Sequence, residues 1–158
     1  MKKYLLLLGV IMLASCNKTD SFNVGSENDK LVWGTTENGD KYKCCWVETA
    51  TYRDNELVNK ATYYIYDFHS DLSLTVQVYL NDVFDRATNY TYRLTENTID
   101  LDQKLYNPNG EQVDAHYKYH IENNVLTLMF YPDDMTGVTE PYSITLCKRD
   151  NINNYPLE

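Results

Sequence analysis

From residue 41 onward, apolar and polar positions alternate with a period of two. Tyr64, Tyr66 and Phe68 share one face, and Leu72, Leu74, Val76, Val78 and Leu80 share one face of the following run. Tyr90, Tyr92 and Leu94 alternate with Thr91, Arg93 and Thr95, and Ile99 and Leu101 with Asp100 and Asp102. Val113, Ala115, Tyr117, Tyr119 and Ile121 alternate with polar residues, then come Leu126, Leu128 and Phe130, and last Tyr142, Ile144 and Leu146. Period-two patterning rich in aromatic and β-branched residues predicts strands that bury one face. Eight strands are expected, roughly over residues 42–53, 61–69, 72–80, 89–95, 98–106, 112–122, 125–131 and 140–148.

The connections carry turn chemistry. His69-Ser70-Asp71, Glu96-Asn97, Asn107-Pro108-Asn109-Gly110 and Asn123-Asn124 suit hairpins. Residues 81–88 read as a loop or a single helical turn, and 132–139 as a second loop. Short links between sequential strands imply an all-β, antiparallel, up-and-down order. Closing eight such strands into a barrel buries every apolar face and removes exposed edges. A two-sheet sandwich is the alternative, and the up-and-down order favours the barrel.

The N-terminus follows another rule. Lys2 and Lys3 precede an apolar run from Tyr4 to Leu13, then Leu13-Ala14-Ser15-Cys16. A basic start, a short apolar core and small residues before a cut form a secretory signal peptide. The run falls short of the roughly 20 apolar residues that span a bilayer. The last four residues resemble the lipobox of bacterial lipoproteins, which implies a diacylglyceryl group on Cys16 and cleavage just before it. The expected organisation is therefore a lipoprotein signal peptide at 1–15, the lipidated cysteine and a flexible tether at 16–40, a barrel domain at 41–150 and a tail at 151–158. Within the tether, Leu31-Val32-Trp33 are candidates to dock on the domain. Asn17 after Cys16, where related systems place an aspartate for inner-membrane retention, points by resemblance to the outer membrane of a Gram-negative bacterium.

Charge narrows the partners. Cleavage removes Lys2 and Lys3 from 14 basic residues, leaving 12 against 23 acidic ones. Such a surface repels phosphate backbones, which argues against nucleic acid. Membrane attachment must then come from the acyl chains.

The barrel phrases resemble those of lipocalin-like lipoproteins of Gram-negative anaerobes. Residues 63–71, Tyr-Tyr-Ile-Tyr-Asp-Phe-His-Ser-Asp, are similar to that family's aromatic strand ending in a Phe-x-x-Asp turn. Residues 92–101 and 119–128 are similar to its hairpin phrases. Trp46 is similar to the tryptophan of a Gly-x-Trp signature that closes one barrel end, with Cys44 standing at the glycine position.

An eight-stranded barrel is near the size at which side chains either fill the interior or leave room for one small ligand. The expected lining is Trp46, Tyr64, Tyr66, Phe68, Tyr90, Tyr92, Tyr117, Tyr119, Phe130 and Tyr142. It would suit a small, partly apolar molecule. The same rings could equally pack a solid core. Fifteen tyrosines in the chain fit sites that are apolar on one side and wet on the other.

No catalytic motif is present, and no cofactor is implied. His116 and His120 lie four residues apart, which on a strand is roughly 13 Å, too far to share one metal ion. His69 has no evident partner. Asp133-Asp134 fall far short of a calcium cage, and Asp100 and Asp102 read as solvated. With Trp46 inward, Cys44 points in and Cys45 out; with Tyr142, Ile144 and Leu146 inward, Cys147 points out. A Cys45–Cys147 disulfide across the seam between first and last strands is therefore expected. The functional expectation is a noncatalytic, membrane-tethered binding protein for a small ligand. The alternative is a protein-interaction module, either a subunit of an envelope complex or an inhibitor of a host enzyme such as lysozyme.

Overall fold

A computed structural model of the chain describes residues 22–107, 109–131 and 140–155. The expected signal peptide and lipidation site Cys16, together with Asp133-Asp134, lie outside the described residues. Helix α1 (Val24–Val32) leads into a short strand, β1 (Trp33–Thr35). Nine further strands follow: β2 (Lys41–Arg53), β3 (Glu56–Leu57), β4 (Thr62–Phe68), β5 (Ser73–Leu80), β6 (Val83–Leu94), β7 (Thr98–Tyr106), β8 (Gln112–Glu122), β9 (Val125–Phe130) and β10 (Ser143–Asn151). A single 3-10 turn, Ile152–Asn154, closes the described chain.

The strands form an all-antiparallel, closed eight-stranded barrel in the order β2-β10-β9-β8-β7-β6-β5-β4, closed by β4 pairing with β2. Strands β1 and β3 are extra and pair only with β2. The hairpin turns explain the up-and-down path. Asp54-Asn55, Asn81-Asp82 and Asn123-Asn124 all have positive φ at both positions. That is the two-residue geometry matched to strand twist, and asparagine and aspartate adopt it readily.

The Asn81-Asp82 turn corrects the loop expected at 81–88, because β6 begins at Val83 directly after it. Its first half hid from the pattern because it is solvated on both faces. From Val83 to Asn89 only Phe84 is half-buried, since this stretch pairs with β5 alone and β6 meets β7 only at Tyr92, Arg93 and Leu94.

The seam of the barrel reverses the expected face of β10. Leu128 and Phe130 of β9 point inward and stand opposite Thr145 and Ser143. The inward set of β10 is therefore Ser143, Thr145, Cys147 and Arg149, while Ile144 and Leu146 face out. In β2 the register with β10 slips between Cys147 and Leu146, leaving Thr49 as a bulge. Cys44, Trp46 and Glu48 thus face inward before the bulge, and Thr51 and Arg53 after it.

Candidate functional site

One end of the barrel is sealed. Helix α1 starts at Asn23, whose side chain caps Ser26 N at 3.2 Å. The helix lies across the end and buries Asn28, Leu31 and Val32. Leu31 and Val32 thus dock on the barrel, and packing begins within the segment expected as tether. Trp33 remains exposed. The Trp46 indole N–H donates to the Leu31 carbonyl at 2.9 Å, and the Cys44 thiol reaches the same oxygen at 3.4 Å. Arg149 lies over the Trp46 ring at 4.6 Å and donates to Lys30 O at 2.8 Å. Asn28 donates to His69 O at 3.2 Å and accepts the Tyr92 hydroxyl. Trp46 therefore does close this end, and a thiol at position 44 fits the closure by pointing at a helix carbonyl.

Among the described residues the other end is uncovered, and most inward side chains grow more exposed toward it. On the sealed half the inward side chains are almost fully buried: Cys44, Trp46, Phe68, Leu74, Tyr92, Ile99, Tyr119 and Cys147. On the open half Val78 and Phe130 are buried, whereas the inward positions Thr51, Tyr64, Tyr66, Val76, Tyr90, Leu101, Tyr117 and Thr145 keep accessible surface. Tyr66 and Tyr117 lie deep among protein atoms, and loss of solvation holds the Tyr66 phenol well above its usual pKa, with Cys147 and Tyr117 adding to the effect. Burial likewise pushes Tyr117 up to about 12. Deep groups that still meet solvent line a recess, so the open half is a cup. Its floor is closely packed: the space among Tyr66, Phe68, Leu74, Ile99, Leu101, Tyr117 and Leu128 amounts to about 10 Å³, at the threshold for one water.

The cup wall splits in two places, and a carboxylate mends each split. Strands β2 and β4 pair only at Trp46–Tyr66 and Val47–Ile65. Beyond them Glu48 Oε2 accepts the Tyr64 N–H at 3.0 Å, replacing the lost ladder bond. The Glu48 carboxylate also accepts the Thr51 hydroxyl and pairs with Lys60 Nζ at 2.7 Å. A side pocket of about 230 Å³ lies in this fork, lined by Glu48, Thr51, Leu57, Lys60 and Tyr63 among others. At the β6–β7 split Asp102 accepts the Thr91 N–H and hydroxyl, each at 2.8 Å. Asp102 is thus bonded rather than merely solvated. Asp100 likewise pairs with Arg93 at 2.7 Å and with His116.

Of the ten expected lining residues, Tyr64, Tyr66, Tyr90 and Tyr117 border the cup. Phe130 stands buried beside Tyr117, their ring centroids 5.6 Å apart. Tyr142 sits at the rim, 6.2 Å from Phe130. Trp46, Phe68, Tyr92 and Tyr119 instead belong to the sealed half. Sequence reasoning missed Glu48, Thr51 and Thr145, which are polar residues at inward positions. The alternation of β2 up to Trp46 put Glu48 in reach, but the bulge concealed the other β2 position.

The expected Cys45–Cys147 disulfide does not form, and Cys44, Cys45 and Cys147 are buried free thiols. Cys147 lies in the inner core with Cys44, whereas Cys45 joins an outer cluster with Ile65 and Tyr79 under Ile152 and Tyr155. The barrel wall separates them, and Cys45 pairs in register with Asp150, three residues from Cys147. Burial raises the Cys44 thiol to about 11 and Cys45 to about 12, and pushes Cys147 up as well.

His69 has partners after all. Its Nδ1 lies 3.2 Å from Lys43 Nζ and its Nε2 lies 3.1 Å from Thr75 Oγ1, with Asp67 at 3.5 Å. This network ties the outer wall together at the β4–β5 turn. Among the described residues no three His, Cys, Asp or Glu side chains gather as a metal site, and no helix is long and apolar enough to cross a membrane.

No protein-family model, curated protein or solved structure matches the chain.

Proposed function

We propose that this chain is a noncatalytic, lipocalin-like lipoprotein of the Gram-negative envelope that holds one small, partly apolar ligand in its barrel. The lipid on Cys16 would tether it, by preference in the outer membrane, and the lipobox pattern is what supports that anchor. The gradient of burial along the inward positions carries the binding reading. A barrel that served only as a scaffold would gain by filling its interior from end to end. This one is packed on the α1 half and leaves Tyr66, Leu101 and Tyr117 meeting solvent on the other. Rings with hydroxyl tips at the base of a concave site suit a ligand that is mostly apolar and hydrogen-bonds at a few points.

Native mass spectrometry of the protein purified from its own host tests this reading. A retained small molecule at one per chain is the expected result. A bare mass, together with no saturable binding of any apolar probe, would reject it. On the same sample, the N-terminal peptide should carry acyl mass on Cys16.

A second reading, a protein-interaction module such as an envelope-complex subunit or a host-enzyme inhibitor, draws on a different observation. Leu57, Leu80, Val83 and Tyr106 are exposed near the strand ends around the open rim. Apolar tips around a rim suit a partner protein that covers the mouth. Co-purification of a stoichiometric partner lost on Val83→Asp substitution would favour it.

A further inference from the structure

Two chains of aromatic rings line the cup, and a cation heads each. On one wall Lys60 Nζ sits 4.7 Å from the Tyr64 ring centroid, and Tyr64 lies 6.4 Å from Tyr66. On the other the Arg53 guanidinium sits 4.9 Å from the Tyr142 centroid. Phe130 and Tyr117 then continue inward from Tyr142. The two cations differ in what balances them. Lys60 is neutralised by Glu48 at 2.7 Å. Arg53 has the Tyr142 face but neither an ion pair nor a hydrogen bond among the described residues. Glu56 stands opposite Arg53 in the β2–β3 hairpin and Asp54 is adjacent, yet neither engages the guanidinium.

We infer that the ligand is an anionic amphiphile whose head is held at the rim by Arg53 while its apolar body lies along Tyr142, Phe130 and Tyr117. This deepens the binding reading above and rests on it. Arginine presents a planar fork of donors matched to carboxylate or phosphate oxygens, and its stacking on Tyr142 orients that fork without consuming a donor. The bulge at Thr49 is what turns Arg53 toward the mouth, since without the added residue position 53 would face outward. The chain carries a net charge of −9, which gives no long-range attraction for an anion, so recognition is local.

The test compares three probes of equal chain length on the mature chain, each below its micelle concentration: dodecanoate, dodecanol and dodecyltrimethylammonium, by isothermal titration calorimetry. Dodecanoate is expected to bind about tenfold more tightly than dodecanol, with the difference shrinking as salt rises. Arg53→Gln should cost dodecanoate about tenfold and leave dodecanol unchanged. Its melting temperature serves as the control for folding, and Glu56→Gln should keep or strengthen the preference. Equal affinity for all three probes, a preference for the cation, or an undiminished preference in Arg53→Gln would overturn the anionic head while leaving the cup reading standing. No binding of any probe would overturn both.

Discussion

Replacing Trp46 with phenylalanine probes the seal directly. The indole N–H donates to Leu31 O at 2.9 Å, and among the described residues the other side-chain donor on that carbonyl is the weakly donating Cys44 thiol at 3.4 Å. Loss of the bond forfeits about 0.5–1.5 kcal/mol and leaves a buried carbonyl poorly satisfied, so the combined cost is about 1–3 kcal/mol. Removing part of a fully buried ring system leaves a cavity worth about another 1 kcal/mol. Weakened stacking of Arg149, 4.6 Å above the ring, adds a few tenths, roughly the difference between a tryptophan and a phenylalanine face. The expected destabilisation is about 2–4 kcal/mol, or very roughly 8–15 °C in melting temperature for a domain of this size. Urea unfolding followed by far-ultraviolet circular dichroism measures it without relying on the altered fluorescence. A change below about 1 kcal/mol would mean that α1 does not seal the barrel on Trp46.

Other consequences follow from the same geometry. In the chain from Asn17 onward, Ellman's reagent at pH 8 should find no reactive thiol in the folded protein and three after unfolding, because Cys44, Cys45 and Cys147 are buried and reduced; recovery of only one would restore a disulfide. Burial places Tyr117 and Tyr119 near 12 against an ordinary value of 10. Their contribution to stability is therefore complete below pH 10 and lost as the pH rises toward 12, which alkaline denaturation with a phenolate absorbance readout should show. Lys60→Met should cost about 1–3 kcal/mol by stranding the Glu48 carboxylate, and the Glu48→Leu, Lys60→Met double variant should recover at least part of it, as measured by urea unfolding.

The barrel was legible because apolar and polar residues alternate in sequence along most of its strands, and several of its turns use Asn and Asp where φ must be positive. What escaped did so for physical reasons. The first half of β6 is wet on both faces, so it carries no alternation. The face of β10 was set by its partner's register rather than by its own apolar residues. Ile144 and Leu146 sit half-buried on the outside, and Thr145 and Cys147 go in with Leu128 and Leu126. That single reversal removes the disulfide. At the candidate site, tyrosines 64, 66, 90 and 117 could be read from alternation. Which end is open could not, because the seal depends on Asn28 and Leu31 reaching residues up to 64 positions away. Arg53 was hidden by one bulged residue.

The central claim is a cup sealed by α1 and open to a ligand at the other end. Its most direct test is titration with a dansyl-labelled fatty acid of the native chain and of Thr145→Trp, whose added ring would project inward opposite Leu128 at the cup floor. Saturable binding at one probe per chain, abolished in a variant that still melts cooperatively, is the expected result. No saturable binding to the native chain, or undiminished binding to a folded Thr145→Trp, would contradict the account.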